Sequence, residues 1–248
     1  MSAVFQEDRS VLTRAARPPD YSVRYGADPE NIADVWQGAA PIRPLIVMIH
    51  GGFWRPEYDR THTAPMCAAI ADAGWTVATI EYRRSPGHPD LTCDDVNAAI
   101  ADVPAQVRHH DGRVIVMGHS AGGHLCLYSA ATPTHRSLIG ALALAPAADL
   151  QLIDSLNLDG GAARDFLGAT ATDRPDLDPA RMPDSATPTI MLHGREDAIV
   201  PLAVSQAYVA KHPSARLHVL DGCGHFALID PQSDAWRSVI AELERLTG

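Results

Sequence analysis

The pentapeptide Gly118-His119-Ser120-Ala121-Gly122 fits the pattern Gly-x-Ser-x-Gly and constrains the fold more than any other feature of this chain. A strand is predicted over residues 113–117, directly before it, and small residues over 121–131 predict a helix after it. A serine in so tight a turn takes a strained backbone conformation, and flanking glycines relieve the clashes. The pattern therefore predicts that the Ser120 hydroxyl projects above a sheet, where a nucleophile would lie. The alternative is a structural glycine-rich turn.

The rest of the chain alternates strand-like and helix-like segments, which is typical of a mostly parallel sheet with helices on both faces. Further strands are predicted at 21–25, 45–49, 75–80, 138–144, 188–192 and 217–220. Helices are predicted at 61–73, 93–109, 150–158, 203–211 and 233–246. Pro104 predicts a kink or an early stop in the second of these helices. We therefore predict an α/β fold in a single domain over residues 1–248, with a polar lead-in over about the first 40 residues.

Residues 147–186 interrupt this alternation, because they are rich in Asp, Gly and Pro and contain one short apolar helix-like piece. Connections of this length in a compact domain are usually lids or binding loops. We predict that 147–186 forms a short cap segment over the site. The alternative is a surface excursion that makes no contact with a substrate.

His225 and Asp197 are the predicted base and acid partner of Ser120. A serine hydroxyl needs a base because it is hardly ionised at neutral pH. His225 lies in a glycine-rich loop between the last strand and the last helix, and Asp197 lies in the loop after the preceding strand. There the carboxylate would orient the imidazole and stabilise its charged form. Glu196 competes with Asp197 for the acid role, and His193 is expected to brace the loop.

The sequence His50-Gly51-Gly52-Phe53-Trp54 directly follows the strand predicted at 45–49. Glycines let a backbone approach a substrate without a Cβ atom, and backbone N–H groups stabilise a developing oxyanion. We assign such donors to Gly52 and Ala121, with Gly51 or Phe53 as a further donor. His50 is expected to hold the loop through hydrogen bonds.

The aromatic pair Phe53-Trp54 and the residue Arg83 can each have a role in substrate binding or a purely structural role. Phe53 and Trp54 are predicted to wall the substrate pocket, and the alternative is that they pack against the cap. Arg83 follows the strand predicted at 75–80 and could bind an anionic substrate or pair with Asp94 or Asp95. The ion pair is the more common role for such an arginine.

Charge and composition exclude several classes of function. The chain has 20 Lys and Arg against 30 Asp and Glu, a net charge of −10, and such a surface repels phosphate backbones. No apolar run approaches the roughly 18 to 20 residues of a membrane span, and the start lacks an apolar leader segment. We expect a cytoplasmic protein that binds neither nucleic acid nor membrane. The four cysteines form no Cys-x-x-Cys pair, so free thiols are expected and zinc is not.

The glycine-flanked Ser120 together with His50-Gly51-Gly52-Phe53-Trp54 resembles the α/β-hydrolase superfamily, from about Pro41 to the C-terminus. Within it the chain is similar to the kynurenine formamidases (arylformamidases), whose oxyanion motif is His-Gly-Gly-x-Trp. The resemblance implies an α/β-hydrolase fold, a triad of Ser120, Asp197 and His225, and no metal or organic cofactor. It implies hydrolysis of N-formylkynurenine to formate and kynurenine.

The same motif occurs in general carboxylesterases, and Phe53 stands where related esterases have a third glycine. The expectation is therefore a serine hydrolase that cleaves a carboxylic ester or formyl amide of a small molecule through an acyl-enzyme on Ser120. A kynurenine formamidase proper is the alternative. A more remote alternative is a ligand-binding module that has this fold but does not catalyse a reaction. The partner expected is the small-molecule substrate, and the sequence is compatible with a homodimer.

Overall fold

A computed structural model describes residues 6–39, 42–132 and 136–248. The strands in these ranges are β1 (Tyr21–Arg24), β2 (Ile32–Trp36), β3 (Leu45–Ile49), β4 (Val77–Ile80), β5 (Val114–His119), β6 (Leu138–Leu144), β7 (Thr189–Gly194) and β8 (Arg216–Leu220). They form one sheet in the order β1-β2-β4-β3-β5-β6-β7-β8. Strand β2 is antiparallel to both of its neighbours, and the other neighbouring pairs are parallel.

The central strands are buried on both faces of the sheet. All five residues of β3 are buried, and they alternate between two core clusters. Leu45, Val47 and Ile49 belong to the first cluster, and Ile46 and Met48 to the second. This alternation follows from the two-residue period of a strand and explains why β3 is a continuous apolar run in the sequence.

Helices cover both of these faces. They are α1 (Ala64–Asp72), α2 (Pro89–Gln106), α3 (Ala121–Ala131), α4 (Leu150–Ser155), α5 (Ala162–Leu167), α6 (Leu202–Lys211) and α7 (Trp236–Thr247). Buried residues of α2, α3 and α6 join the first cluster, and those of α1 and α7 join the second. The predicted α/β-hydrolase architecture is therefore confirmed. None of the helices in the described ranges has the length and apolarity to cross a membrane.

The sequence did not predict strand β2, which lies within the expected polar lead-in. Asp34 interrupts its apolar residues, and the structure pairs that carboxylate with Arg60 Nε at 2.7 Å. Helix α2 also differs from the prediction, because it begins at Pro89 rather than Cys93. Pro104 lies in its last turn, since the helix ends at Gln106 and not at residue 109.

Residues 147–186 contain α4, α5 and three short 3-10 helices at Leu158–Gly160, Pro175–Leu177 and Pro179–Arg181. The segment packs on the first core cluster, to which α5 contributes Ala163, Phe166 and Leu167. Its acidic residues cap turns and form ion pairs: Asp149 accepts a hydrogen bond from the Leu152 N–H at 2.9 Å and caps α4, and Asp159 pairs with Arg55 at 2.6 Å. Caps of this kind stabilise the short helices of the segment.

Candidate active site

Ser120 lies in the sharp turn between β5 and α3, with φ 58° and ψ −118°. A positive φ is unusual for a residue with a side chain and marks local strain. The turn is possible only because its flanks are glycines. A Cβ atom at Gly118 would lie 2.1 Å from the Gly122 carbonyl oxygen, and one at Gly122 would lie 2.1 Å from the Ile49 carbonyl oxygen. The Gly-x-Ser-x-Gly pattern thus fixes where the Ser120 hydroxyl emerges.

Asp197 and His225 meet across the loops that follow β7 and β8. Nδ1 of His225 lies 2.7 Å from Oδ2 of Asp197, and both side chains are almost fully buried. The other carboxylate oxygen accepts hydrogen bonds from the N–H groups of Ile199 and Val200, each at 2.8 Å. Burial alone would raise the pKa of Asp197, but hydrogen bonds from His193 and His225 outweigh it and hold that pKa well below its usual range.

The residue next to Asp197 has a different role. One Glu196 carboxylate oxygen accepts a hydrogen bond from the N–H of Cys223 at 3.0 Å, and the Glu196 N–H donates to the Cys223 carbonyl at 3.1 Å. Glu196 therefore links the same two loops, while Asp197 is the carboxylate that faces His225.

His193 is fully buried behind this pair. Its Nε2 lies 2.9 Å from the Val200 carbonyl oxygen and 3.3 Å from Oδ2 of Asp197, and its Nδ1 lies 2.7 Å from the Ser205 hydroxyl. Because a carbonyl oxygen only accepts, Nε2 carries a proton and donates it to the Val200 carbonyl. The predicted bracing of the Asp197 loop corresponds to these contacts.

The loop after β3 brings its backbone beside Ser120. Gly52, Phe53 and Trp54 all have positive φ, at 115°, 51° and 57°. Only glycine adopts the first of these without strain. Gly52 lines the same cavity as Ser120, and Ala121 is the first residue of α3. Of the two predicted oxyanion donors, Gly52 therefore lines the cavity with Ser120, and Ala121 directly follows Ser120 in the chain.

A buried network of polar side chains supports this loop from below. Nδ1 of His50 lies 2.7 Å from the Gly51 carbonyl oxygen, and its Nε2 lies 2.9 Å from Oε1 of Glu81. Arg84 donates to the same Glu81 oxygen, and the Arg60 N–H donates to the other at 3.1 Å. Burial alone would raise the pKa of Glu81, but His50 and Arg84 lower it to about 2. The sequence predicted the role of His50 but not that of Glu81.

A cavity of about 400 Å³ opens over Ser120. His225, Gly52 and Phe53 line it, as expected for a site between these loops. The remaining lining residues are Arg9, Leu12, Thr13, Glu57, Tyr58, Asp59, His62, His119, Asp159, Ile199 and Phe226. Asp159 is the contribution of the 147–186 segment to this lining. No motif predicted the contribution of residues 9–13, because they lie far in the chain from every motif.

Trp54 differs from the expectation that it walls the pocket. Its side chain is 3% exposed and lies outside the lining of the cavity over Ser120. The indole stacks on Phe166 of α5 with ring centroids 4.9 Å apart, and its Nε1–H donates to Nδ1 of His124 at 3.3 Å. Nε2 of His124 lies 2.8 Å from the Leu177 carbonyl oxygen. Trp54 therefore joins the loop after β3 to the 147–186 segment.

Arg83 pairs with Asp95 rather than lining the cavity. Its Nε and Nη2 lie 2.8 Å and 2.6 Å from the two carboxylate oxygens, a bidentate arrangement. The four cysteines are free and buried. Among the described residues, no three His, Cys, Asp or Glu side chains are grouped as a metal site would require.

The sheet order, the strained Ser120 turn after β5, and Asp197 and His225 after the last two strands define an α/β-hydrolase fold. Residues 35–211 match the BD-FAE family, and the chain belongs to that family. Solved structures agree in fold. Esterase B from Lactobacillus rhamnosis covers 96% of this chain and 89% of its own, with 18% identity and a TM-score of 0.76. A truncated carbohydrate esterase from gut microbiota covers 93% and 99%, with 18% identity and a TM-score of 0.79.

Curated relatives carry esterase names. Esterase LipC of Mycobacterium tuberculosis is 26% identical over 241 residues, which cover 84% of this chain and 60% of LipC. Esterase LipQ of the same organism is 27% identical over 207 residues, which cover 73% of this chain and 49% of LipQ. The chain thus spans about half the length of these two relatives. The comparisons do not show a resemblance to the arylformamidases.

Proposed function

We propose that this protein is a serine hydrolase that cleaves carboxylic esters of small molecules through an acyl-enzyme on Ser120. The contact of 2.7 Å between His225 Nδ1 and Asp197, beside the cavity that Ser120 lines, carries the proposal. The esterase names of the relatives support the same class of reaction.

The first half of the reaction forms the acyl-enzyme. Nε2 of His225 accepts the proton of the Ser120 hydroxyl as the oxygen attacks the ester carbonyl. Asp197 holds the proton on Nδ1, so that Nε2 is the nitrogen free to accept. The negative charge that develops on the carbonyl oxygen lies against the N–H groups of Gly52 and Ala121, each worth roughly 3 kcal/mol in sites of this kind.

Loss of the alcohol completes the acyl-enzyme, and attack by water then restores the enzyme. The imidazolium of His225 donates its Nε2 proton to the leaving alkoxide, and the alcohol departs. Water then attacks the acyl carbonyl while His225 takes a proton from it. When the second tetrahedral intermediate collapses, the carboxylic acid leaves and the proton returns to Ser120.

The size and the walls of the cavity indicate which substrates the site could bind. A volume of about 400 Å³ suits a small molecule, and Leu12, Phe53, Tyr58 and Phe226 give it apolar walls. A formyl amide of an aromatic amine is the second candidate, because the motif at residues 50–54 is similar to that of the arylformamidases and the walls include aromatic rings. The chemistry on Ser120 would be the same.

Turnover of two substrates tests the proposal. We would measure kcat/KM for a short aryl acetate and for N-formylkynurenine, with Ser120→Ala as the blank. We expect Ser120→Ala to lower kcat roughly 10⁴- to 10⁶-fold. Preference for the formyl amide by roughly a hundredfold would favour the second candidate. If the wild-type protein turned over neither substrate, both candidate activities would be contradicted.

Labelling by a fluorophosphonate separates an enzyme from a ligand-binding module with this fold, since only an activated serine reacts. The matched control is Ser129→Ala, which removes a buried serine further along α3 that lies outside the cavity lining. We expect Ser129→Ala to react as the wild type does and Ser120→Ala not to react. Equal labelling of the two variants would place the reactive group elsewhere.

A further inference from the structure

Residues 7–14 form one wall of the candidate active site, although the sequence presents them as a polar lead-in. Arg9, Leu12 and Thr13 line the cavity over Ser120. Residues Ser10–Thr13 form a 3-10 helix, and Val11 within it is 1% exposed and packs in the second core cluster. This segment is therefore folded against the body of the domain.

Two further contacts fix the segment next to the loop of the predicted base. The guanidinium of Arg14 forms a two-pronged ion pair with Asp230, in which Nη2 lies 2.9 Å from Oδ2. The guanidinium of Arg9 lies 5.2 Å from the centre of the Phe226 ring, within the range of a cation–π contact. Phe226 directly follows His225, so both contacts hold the segment against that loop.

Glu7 contacts both loops of the predicted acid–base pair. Its Oε1 accepts hydrogen bonds from the N–H of Ala198 at 3.0 Å and from the N–H of His225 at 2.9 Å. Its Oε2 lies 2.8 Å from the same His225 nitrogen. Ala198 directly follows Asp197, so one carboxylate joins the backbone next to the acid to the backbone of the base.

We propose that Glu7 is a positioning residue, which holds the His225 loop against the Asp197 loop and so keeps the imidazole in line with Ser120. The inference rests on the proposed function. Hydrogen bonds to an ionised carboxylate are short and about twice as strong as neutral ones. Since a shift of about 1 Å in a catalytic group can lower the rate roughly a hundredfold, a clamp on the base affects turnover more than binding.

Glu196 also joins these two loops but acts at a different point. It holds the N–H of Cys223, which precedes His225 by two positions, whereas Glu7 holds His225 itself. The two clamps therefore control different parts of the loop: Glu196 its path away from β8, and Glu7 the orientation of the base.

Two variants of Glu7 and one matched control test the inference. Glu7→Ala removes both acceptor oxygens, and Glu7→Gln keeps one oxygen without the charge. Asp8→Asn is the control, because the Asp8 carboxylate bonds within its own segment, where it accepts from the N–H of Ser10 at 2.9 Å. We expect Glu7→Ala to lower kcat and the rate of fluorophosphonate labelling roughly 10- to 100-fold, with KM within about threefold of wild type. Glu7→Gln should lie between Glu7→Ala and wild type.

Hydrogen exchange of the backbone amides measures the clamp directly, whatever the catalytic result. We expect Glu7→Ala to speed exchange at Ala198 and His225, and Asp8→Asn to leave it unchanged. Unchanged exchange in Glu7→Ala, or kcat within about twofold of wild type in both Glu7 variants, would overturn the inference. A wild-type protein that neither turns over esters nor reacts with fluorophosphonate would instead contradict the proposed function, and the exchange data would still decide whether Glu7 holds the loops.

Discussion

Nε2 of His193 lies 3.3 Å from Oδ2 of Asp197, the carboxylate oxygen that also faces Nδ1 of His225. Two imidazoles therefore contact one oxygen, while backbone N–H groups of Ile199 and Val200 occupy the other. With both oxygens held, the carboxylate cannot rotate away from His225. This arrangement explains why Asp197 keeps its negative charge in a buried position, where a carboxylate alone would become neutral.

Substituting the acid distinguishes Asp197 from Glu196. Asp197→Asn keeps the size of the side chain but removes the charge that stabilises the imidazolium and fixes its tautomer, so we expect kcat to fall roughly 10³- to 10⁴-fold. Glu196→Gln is the control, because its amide oxygen can still accept from the Cys223 N–H, and we expect a loss below about tenfold. Steady-state kinetics on an aryl acetate measures both. If kcat fell further in Glu196→Gln than in Asp197→Asn, Glu196 would be the acid partner of His225.

The neighbouring aromatic residues Phe53 and Trp54 should give opposite patterns. Phe53 lines the cavity, so Phe53→Ala enlarges it and should shift the preferred acyl chain of p-nitrophenyl esters toward longer chains. Trp54 lies outside that lining, and Trp54→Phe leaves buried Nδ1 of His124 without its donor. We expect a loss of about 1 to 3 kcal/mol in the free energy of unfolding and no change in chain-length preference. A changed chain-length preference in Trp54→Phe would show that Trp54 contacts the substrate.

The pH dependence of turnover should be independent of His62, although this histidine lines the cavity. Burial and the neighbouring His50 lower the pKa of His62 to about 4. A histidine is charged only below its pKa, so His62 stays neutral from pH 5 to 8. His62→Gln should therefore leave the acid limb of the kcat/KM profile within about 0.3 pH unit of wild type. A displacement of about one unit would identify His62 as the titrating group.

The sequence predicted Ser120, Asp197 and His225 because each lies where a parallel strand ends. The carboxyl ends of β5, β7 and β8 share one edge of the sheet, so residues that are distant in the sequence must meet there once the strands are ordered. The Ser120 turn is also a local feature, since its glycines are within two positions of it. The catalytic roles of the triad and of the oxyanion donors stay predictions, which the substitutions at Ser120 and Asp197 address.

The features that sequence reasoning missed depend on contacts between distant segments. Trp54 is buried because Phe166 covers it, and neither residue has a pattern that points to the other. The contact between Glu7 and His225 joins residues at opposite ends of the chain. Periodicity and short motifs describe neighbours in sequence, so such pairs become visible only when the chain is folded.

The ionised form of Glu81 should stabilise the fold in a pH-dependent way. Its pKa is about 2 in the folded protein against 4.5 for the free side chain, so its contribution is complete above pH 4.5 and is lost as the pH falls toward 2. We expect Glu81→Gln to lower the free energy of unfolding by roughly 2 to 3 kcal/mol at pH 7, and the gap between wild type and variant to narrow below pH 4.5. Glu57→Gln is the control, because Glu57 is exposed to solvent and its charge is not enclosed by the buried network. Urea unfolding of the three proteins between pH 3 and 7 measures the gap, and a gap that stays constant over this range would show that the Glu81 charge does not support the loop.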